Sequence, residues 1–116
     1  MEYRNAFAII AESLDSWRLI NTEEVAKMLQ MHYQWARKIL ADGYTIIAGP
    51  LNKELFSVPN FDLAGQITGL IIIRANSKEE AEQIAFQDPF HVNQYRRNKV
   101  YSFAIGFANP EIASKI

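Results

Sequence analysis

The chain has 116 residues, 49% hydrophobic and 22% charged, with a net charge of −1 at pH 7. That is the size and composition of one soluble domain able to bury its own core. So small a charge excludes the strong field of a nucleic-acid-binding domain, and the absence of cysteine excludes disulfides, thiol nucleophiles and thiolate metal sites.

The opening stretch MEYRNAFAIIAESLDSW has charges on both sides of a short apolar run and does not read as a signal peptide. No segment approaches the roughly 18 apolar residues of a membrane-spanning helix. A cytoplasmic protein without a membrane or nucleic-acid partner is expected. Within that stretch, Ala6–Ile10 predicts a first strand.

Asn21-Thr22-Glu23-Glu24 is a helix start, with Asn21 as cap and Glu24 three residues on. The helix is expected to run to about Asp42 and to end at Gly43, which accepts a left-handed backbone. Val25, Met28, Leu29, Ala36, Ile39 and Leu40 form an apolar stripe along it, and His32 falls in the middle of that stripe.

Tyr44–Gly49 reads as a second strand closed by a Gly49-Pro50 turn. Residues 51–65, with Asn52, Pro59, Asn60, Asp62 and Gly65, have no period and read as a long loop of the kind that covers binding sites. Ile67–Ala75 is a third strand. Ser77 to Glu80 is a capping box opening a second helix with Ala81, Ile84 and Ala85 on its inner face, and Pro89 is expected to stop it. Val100–Phe107 is the last strand. No repeat or linker divides the chain, so residues 1–116 are read as a single domain.

The order strand, helix, strand, strand, helix, strand is the ferredoxin-like βαββαβ pattern, an α+β fold with two helices on one face of a four-stranded antiparallel sheet. Such a sheet calls for alternating apolar and polar residues. Phe7 to Ile10, Ile46 to Ala48 and Leu70 to Ile73 are instead apolar on both faces. A homodimer packed through the free sheet face is therefore expected.

His32 has two readings: a core histidine bonded to backbone or water, or a proton-transfer group with a partner that fixes its tautomer. Asp88 is the candidate partner, because it continues the 81, 84, 85 stripe of the second helix toward the same sheet face. A carboxylate there is costly unless paired. Otherwise Asp88 is a helix-end residue bonding the backbone near Pro89. His91 sits in a polar segment and reads as exposed, and two histidines without HxxxH or HxH spacing do not support a metal centre.

Arg96, Arg97 and Lys99 read as a solvated charge run or an anion contact. Arg18, between first strand and first helix, is better placed toward a helix-side pocket. Gly49-Pro50 is a turn or a close backbone approach to a ligand. Trp17, Trp35, Phe56, Phe61 and Phe90 are core or loop anchors, of which one or two line a pocket. None of the serines, Ser57 included, has a nucleophile-elbow context.

Taken together, His32, Gly43 eleven residues later, Ala48-Gly49-Pro50, Thr68-Gly69, Ser77 to Ala81 and Asp88-Pro89-Phe90 resemble the YCII-related family from about residue 6 to residue 107. The resemblance implies a ferredoxin-like fold dimerising into an α+β barrel, with His32 and Asp88 as the active-site pair. It implies lyase or elimination chemistry on a small aromatic or lactone-like compound; isomerisation is expected as a variant of the same proton transfer, and no metal or organic cofactor is expected. Arg18, Gly49, Pro50 and Phe90 are the expected substrate contacts. The alternative is a non-catalytic ligand-binding or interaction module in which the pair is structural. The long loop, the N-terminal extension and His91 after DPF depart from the family pattern, and they bear on the substrate rather than on the pair.

Overall fold

The computed structural model describes residues 3–54 and 63–114. The middle of the expected loop, including Phe56, Ser57, Pro59, Asn60, Phe61 and Asp62, lies outside the described residues. Strands β1 (Arg4–Ser13), β2 (Thr45–Pro50), β3 (Ile67–Ile73) and β4 (Arg96–Ile105) form one sheet in the order β2-β3-β1-β4. All three pairings are antiparallel. This is the expected ferredoxin-like arrangement. β1 extends beyond Ala6–Ile10 because β4 pairs with it along its whole length, from Arg4↔Ile105 to Ser13↔Arg96.

Helix α1 (Thr22–Ala41) starts as its cap dictates: the Asn21 side chain accepts the Glu24 N–H at 2.8 Å. Gly43 at φ +87° reverses the chain beyond its end. The glycine suits that position because a left-handed backbone crowds any Cβ. Met28, Trp35 and Ile39 are the buried residues of α1, whereas Leu40, expected in the stripe, is exposed. The stripe is rotated toward Trp35, whose indole N–H donates to the Ile84 carbonyl at 3.1 Å and ties α1 to the second helix.

Helix α2 (Lys78–Ala85) is capped by Ser77, which accepts the Glu80 N–H at 3.1 Å. It ends earlier than expected. Ala85 is its last residue, so Asp88 does not continue its inner stripe. Pro89 opens a new short helix, α3 (Pro89–Val92), rather than simply stopping the old one. The first helical position suits proline, because its missing N–H has no intrahelical partner there anyway. Asp88, held extended before the proline (φ −56°, ψ 124°), becomes the cap of α3.

β4 also begins earlier than expected, at Arg96 rather than Val100. Gln94, at φ +62°, turns the chain from α3 into the strand, and the Tyr95 N–H donates to the Phe90 carbonyl. Two-residue alternation then sends Arg96, Asn98 and Val100 inward and Arg97, Lys99 and Tyr101 outward. Arg96 is thus buried, not part of a solvated charge run.

The main core lies between helices and sheet: Phe7, Ile9 and Ile73 pack on Trp35, Ile39, Ile84 and Ala85. A second cluster of Trp17, Met28, Leu63 and Phe90 closes one end. Trp17 comes from a short 3-10 turn, Asp15–Leu19, between β1 and α1. Burying a side chain such as Phe90 contributes about 1.5–3 kcal/mol. On the opposite sheet face, Ile47, Tyr101 and Phe103 are 40–52% exposed. Helix α4 (Pro110–Ala113) follows β4, and Arg4 bonds the Ala113 carbonyl. Among the described residues no helix is long and apolar enough to cross a membrane.

Candidate active site

Along the chain, Asp88 lies between Ala85 of the main core and Phe90 of the second cluster. Its side chain is almost wholly buried and accepts three hydrogen bonds from three elements. Oδ1 accepts His32 Nδ1–H of α1 at 2.9 Å and the Phe90 N–H of α3 at 3.1 Å. Oδ2 accepts Asn98 Nδ2–H of β4 at 3.1 Å. Burial pushes the Asp88 carboxyl upward, but the bond and charge of His32, with Asn98 and the Phe90 N–H, outweigh it and hold the pKa below the ordinary value. Asp88 is therefore a carboxylate at neutral pH.

A carboxylate only accepts hydrogen bonds, so His32 Nδ1 must carry the proton toward it. The ring's Nε2 then bears the free lone pair when the imidazole is neutral and a proton when it is cationic. The His32 side chain keeps 17% of its surface exposed against 2% for Asp88, so solvent reaches the histidine and not the acid. The ring lies among Tyr33, Trp35 and Phe90, with centroids 5.7, 5.6 and 5.3 Å away. The arrangement can take a proton at Nε2 and stabilise the resulting imidazolium through Asp88.

Two further residues belong to this region: Asn98, which sequence reasoning did not single out, and Arg96, which it reads only as part of a charge run or an anion contact. Asn98 spans the gap behind Asp88, its amide donating both to Oδ2 and to the Ala85 carbonyl, the latter at 2.8 Å. Arg96 places its Cζ 4.3 Å from the Phe90 ring centroid and 5.6 Å from that of Trp17. Burial lowers its pKa from the ordinary value, against the raising influence of Asp88 and Tyr33. The signal for both residues is the period-two pattern Arg96-x-Asn98-x-Val100, visible once the strand is started at Arg96.

The expected site residues divide into two groups. His32, Asp88 and Phe90 come together. Arg18 lies on the exposed 3-10 turn with Asp15 at 3.9 Å. Gly49 and Pro50 are the last residues of β2 rather than a separate turn, and a Cβ at Gly49 would meet nothing within 4 Å. Pro50 pairs with Gly69, which pairs with Ala11, which pairs with Asn98. That row puts Pro50 three strands, about 14 Å, from the residue that holds Asp88.

His91 is half-buried rather than simply exposed. It stacks on Phe86 with centroids 4.5 Å apart and planes 7° from parallel. Its Nδ1 accepts the Asn98 backbone N–H at 3.0 Å, which assigns the hydrogen of the neutral ring to Nε2. Burial lowers its pKa, with Arg97 in the same direction and Asp88 opposing. It borders a separate open cleft of about 450 Å³ with Lys78, Arg97 and Lys99. Among the described residues no three of His, Asp and Glu gather as metal ligands.

The model of the YCII-related domain matches residues 6–104 of the chain. Among solved structures, 5-chloro-2-hydroxyhydroquinone dehydrochlorinase from Burkholderia phenoliruptrix, in complex with 2,5-dihydroxybenzoquinone, is similar in fold. It superposes with a TM-score of 0.58 at 18% sequence identity, covering 87% of this chain and 95% of that one. No curated protein matches the sequence.

Proposed function

The chain belongs to the YCII-related domain family, and on that premise we propose that it is an enzyme moving a proton on a small ring compound, with His32 as general acid and base. The observation that carries the reading is the buried Asp88 carboxylate bonded to His32 Nδ1 at 2.9 Å, with the ring still solvent-accessible. Asp88 sets the tautomer and stabilises the imidazolium; Phe90 walls the ring. In an elimination, Nε2 takes a proton from substrate carbon while the leaving group departs from the adjacent carbon with its bonding electrons. In an isomerisation the same proton returns at another carbon. A base positioned this way contributes about a hundred- to ten-thousand-fold in rate.

The structural neighbour, a dehydrochlorinase of a chlorinated hydroxyhydroquinone, supports elimination on an oxygenated ring as the first chemistry to test. Chloride release is measured from chlorinated hydroxyhydroquinones with wild type, His32→Gln and Asp88→Asn. The reading expects turnover in wild type and a loss of at least about a hundredfold in His32→Gln. Variants as active as wild type overturn it.

A second reading is favoured by one observation: Asp88 joins α1, α3 and β4 through its three bonds. A polar clasp of that kind serves a non-catalytic binding module equally well. It predicts that His32→Gln and Asp88→Asn alter stability with no change in the chemistry of any bound ligand. The assembly we propose is a homodimer in which the open sheet faces pack together, covering Ile47, Tyr101 and Phe103.

A further inference from the structure

We propose that Arg96 is the anion-binding group of the site, holding an anionic oxygen of a flat ring compound beside His32. The inference rests on the proposed role of His32 and adds a substrate class to it. Arg96 is 6% exposed, and its Nε has no hydrogen-bond partner among the described residues. Its guanidinium lies against two aromatic rings, with Cζ 4.3 Å from the centroid of Phe90 and 5.6 Å from that of Trp17.

A buried guanidinium with an unused donor is costly, because the ion gives up its hydration without full replacement. Cation–π contact returns only part of that cost, which leaves the hydrogen-bonding deficit open. Asp88 does not fill it: its three hydrogen bonds come from His32, Phe90 and Asn98, and it acts on Arg96 by charge alone. An external anion does. The guanidinium offers a planar fork of donors that matches a carboxylate or another oxygen anion.

The geometry also limits the size of that anion. Arg96 and His32 both lie against one ring, that of Phe90, at 4.3 and 5.3 Å. The two groups therefore lie at most about 10 Å apart, a span that one substituted aromatic ring can bridge. The oxygen it presents to Arg96 is a ring carboxylate or a phenolate. As charge develops on a substrate that has lost a proton to His32, the same guanidinium stabilises it.

The test uses the full-length protein and two charged–neutral pairs of probes: benzoate with benzamide, and para-nitrophenolate with para-nitroanisole. In isotope-labelled wild type, at least one anion is expected to displace the Arg96 Nε–H resonance while its neutral counterpart does not. Arg96→Gln is expected to weaken that anion at least about tenfold and to leave the neutral probe unchanged, as loss of a charge-assisted hydrogen bond requires. Arg96→Lys keeps the charge without the fork and is expected to retain part of the preference. It decides the matter, with the wild-type resonance, if Arg96→Gln does not fold.

His32→Gln is expected to keep the anion preference even though it abolishes turnover, which separates this inference from the catalytic reading. A response to benzoate alone, or to para-nitrophenolate alone, supports the inference and names the oxygen. It is overturned if neither anion moves the Arg96 resonance, if charged and neutral probes bind alike, or if Arg96→Gln weakens both members of a pair equally.

Discussion

The side-chain amide of Asn98 holds Oδ2 of Asp88 at 3.1 Å and the Ala85 carbonyl at 2.8 Å, so one residue of β4 ties the acid to the end of α2. His32 is thereby aligned from behind: with the amide on Oδ2, Oδ1 is turned to the imidazole and the Phe90 N–H. Asn98→Ala removes both bonds and leaves buried acceptors unsatisfied. It is expected to cost about 1–3 kcal/mol in denaturant unfolding and to raise the Asp88 pKa, read by carboxyl NMR titration. An unchanged Asp88 titration would show that the amide does not hold the acid.

Asp88 is both the partner of His32 and the cap of α3, so its two substitutions should differ. Asp88→Ala strips three donors of their acceptor and is expected to cost about 3–5 kcal/mol, the range for breaking a buried charge pair. Asp88→Asn keeps one carbonyl oxygen for His32 and the Phe90 N–H, and should cost clearly less. Equal losses in chemical denaturation would mean that the capping oxygen is immaterial.

The lowered Asp88 pKa carries a pH dependence of definite sign. Folding favours the ionised form, so the unfolded chain binds more protons in the acid range and stability rises with pH there. The contribution is complete above the ordinary carboxylate value of about 3.9 and is lost as pH falls through the lower folded value. Wild type is expected to lose stability more steeply than Asp88→Asn below about pH 4, measured as unfolding free energy against pH. Parallel curves would contradict it.

The open sheet face offers a test of assembly. Ile47, on a strand apolar on both faces, and Tyr101 and Phe103 of β4 are half-exposed on this face. A stable dimer buries about 1,200–2,000 Å² in total, and a charge at its centre is poorly tolerated. Wild type is expected to sediment as a dimer and Tyr101→Glu to sediment as a monomer at the same concentration. A monomeric wild type removes the proposed barrel.

Much of the fold was legible because its signals are local. Asn21 and Ser77 cap the helices they were expected to start, since a cap needs only an oxygen and an N–H three residues on. Gly43 ends α1 because a left-handed backbone is written in one residue. The α+β class followed from the alternation of elements. The errors were also local: Asp88-Pro89 was read as the tail of α2, where an extended pre-proline residue starts a new helix instead. That mistake arose because helical periodicity carries on past a break that the chain has already made.

The sequence by itself determined the α+β class and the two helix starts, both consequences of spacing and capping; it pointed to His32 and Asp88 as partners through a helical stripe that Asp88 does not continue. Only the tertiary structure decided how that pairing is held. Asn98 and Arg96 reach the site because β4 lies beside β1 from Arg96 onward, a contact between residues more than eighty apart in sequence. Long-range strand register turns a charge run into one inward guanidinium, one inward amide and two outward cations. No local pattern carries that information, because the face a strand residue takes depends on where pairing begins.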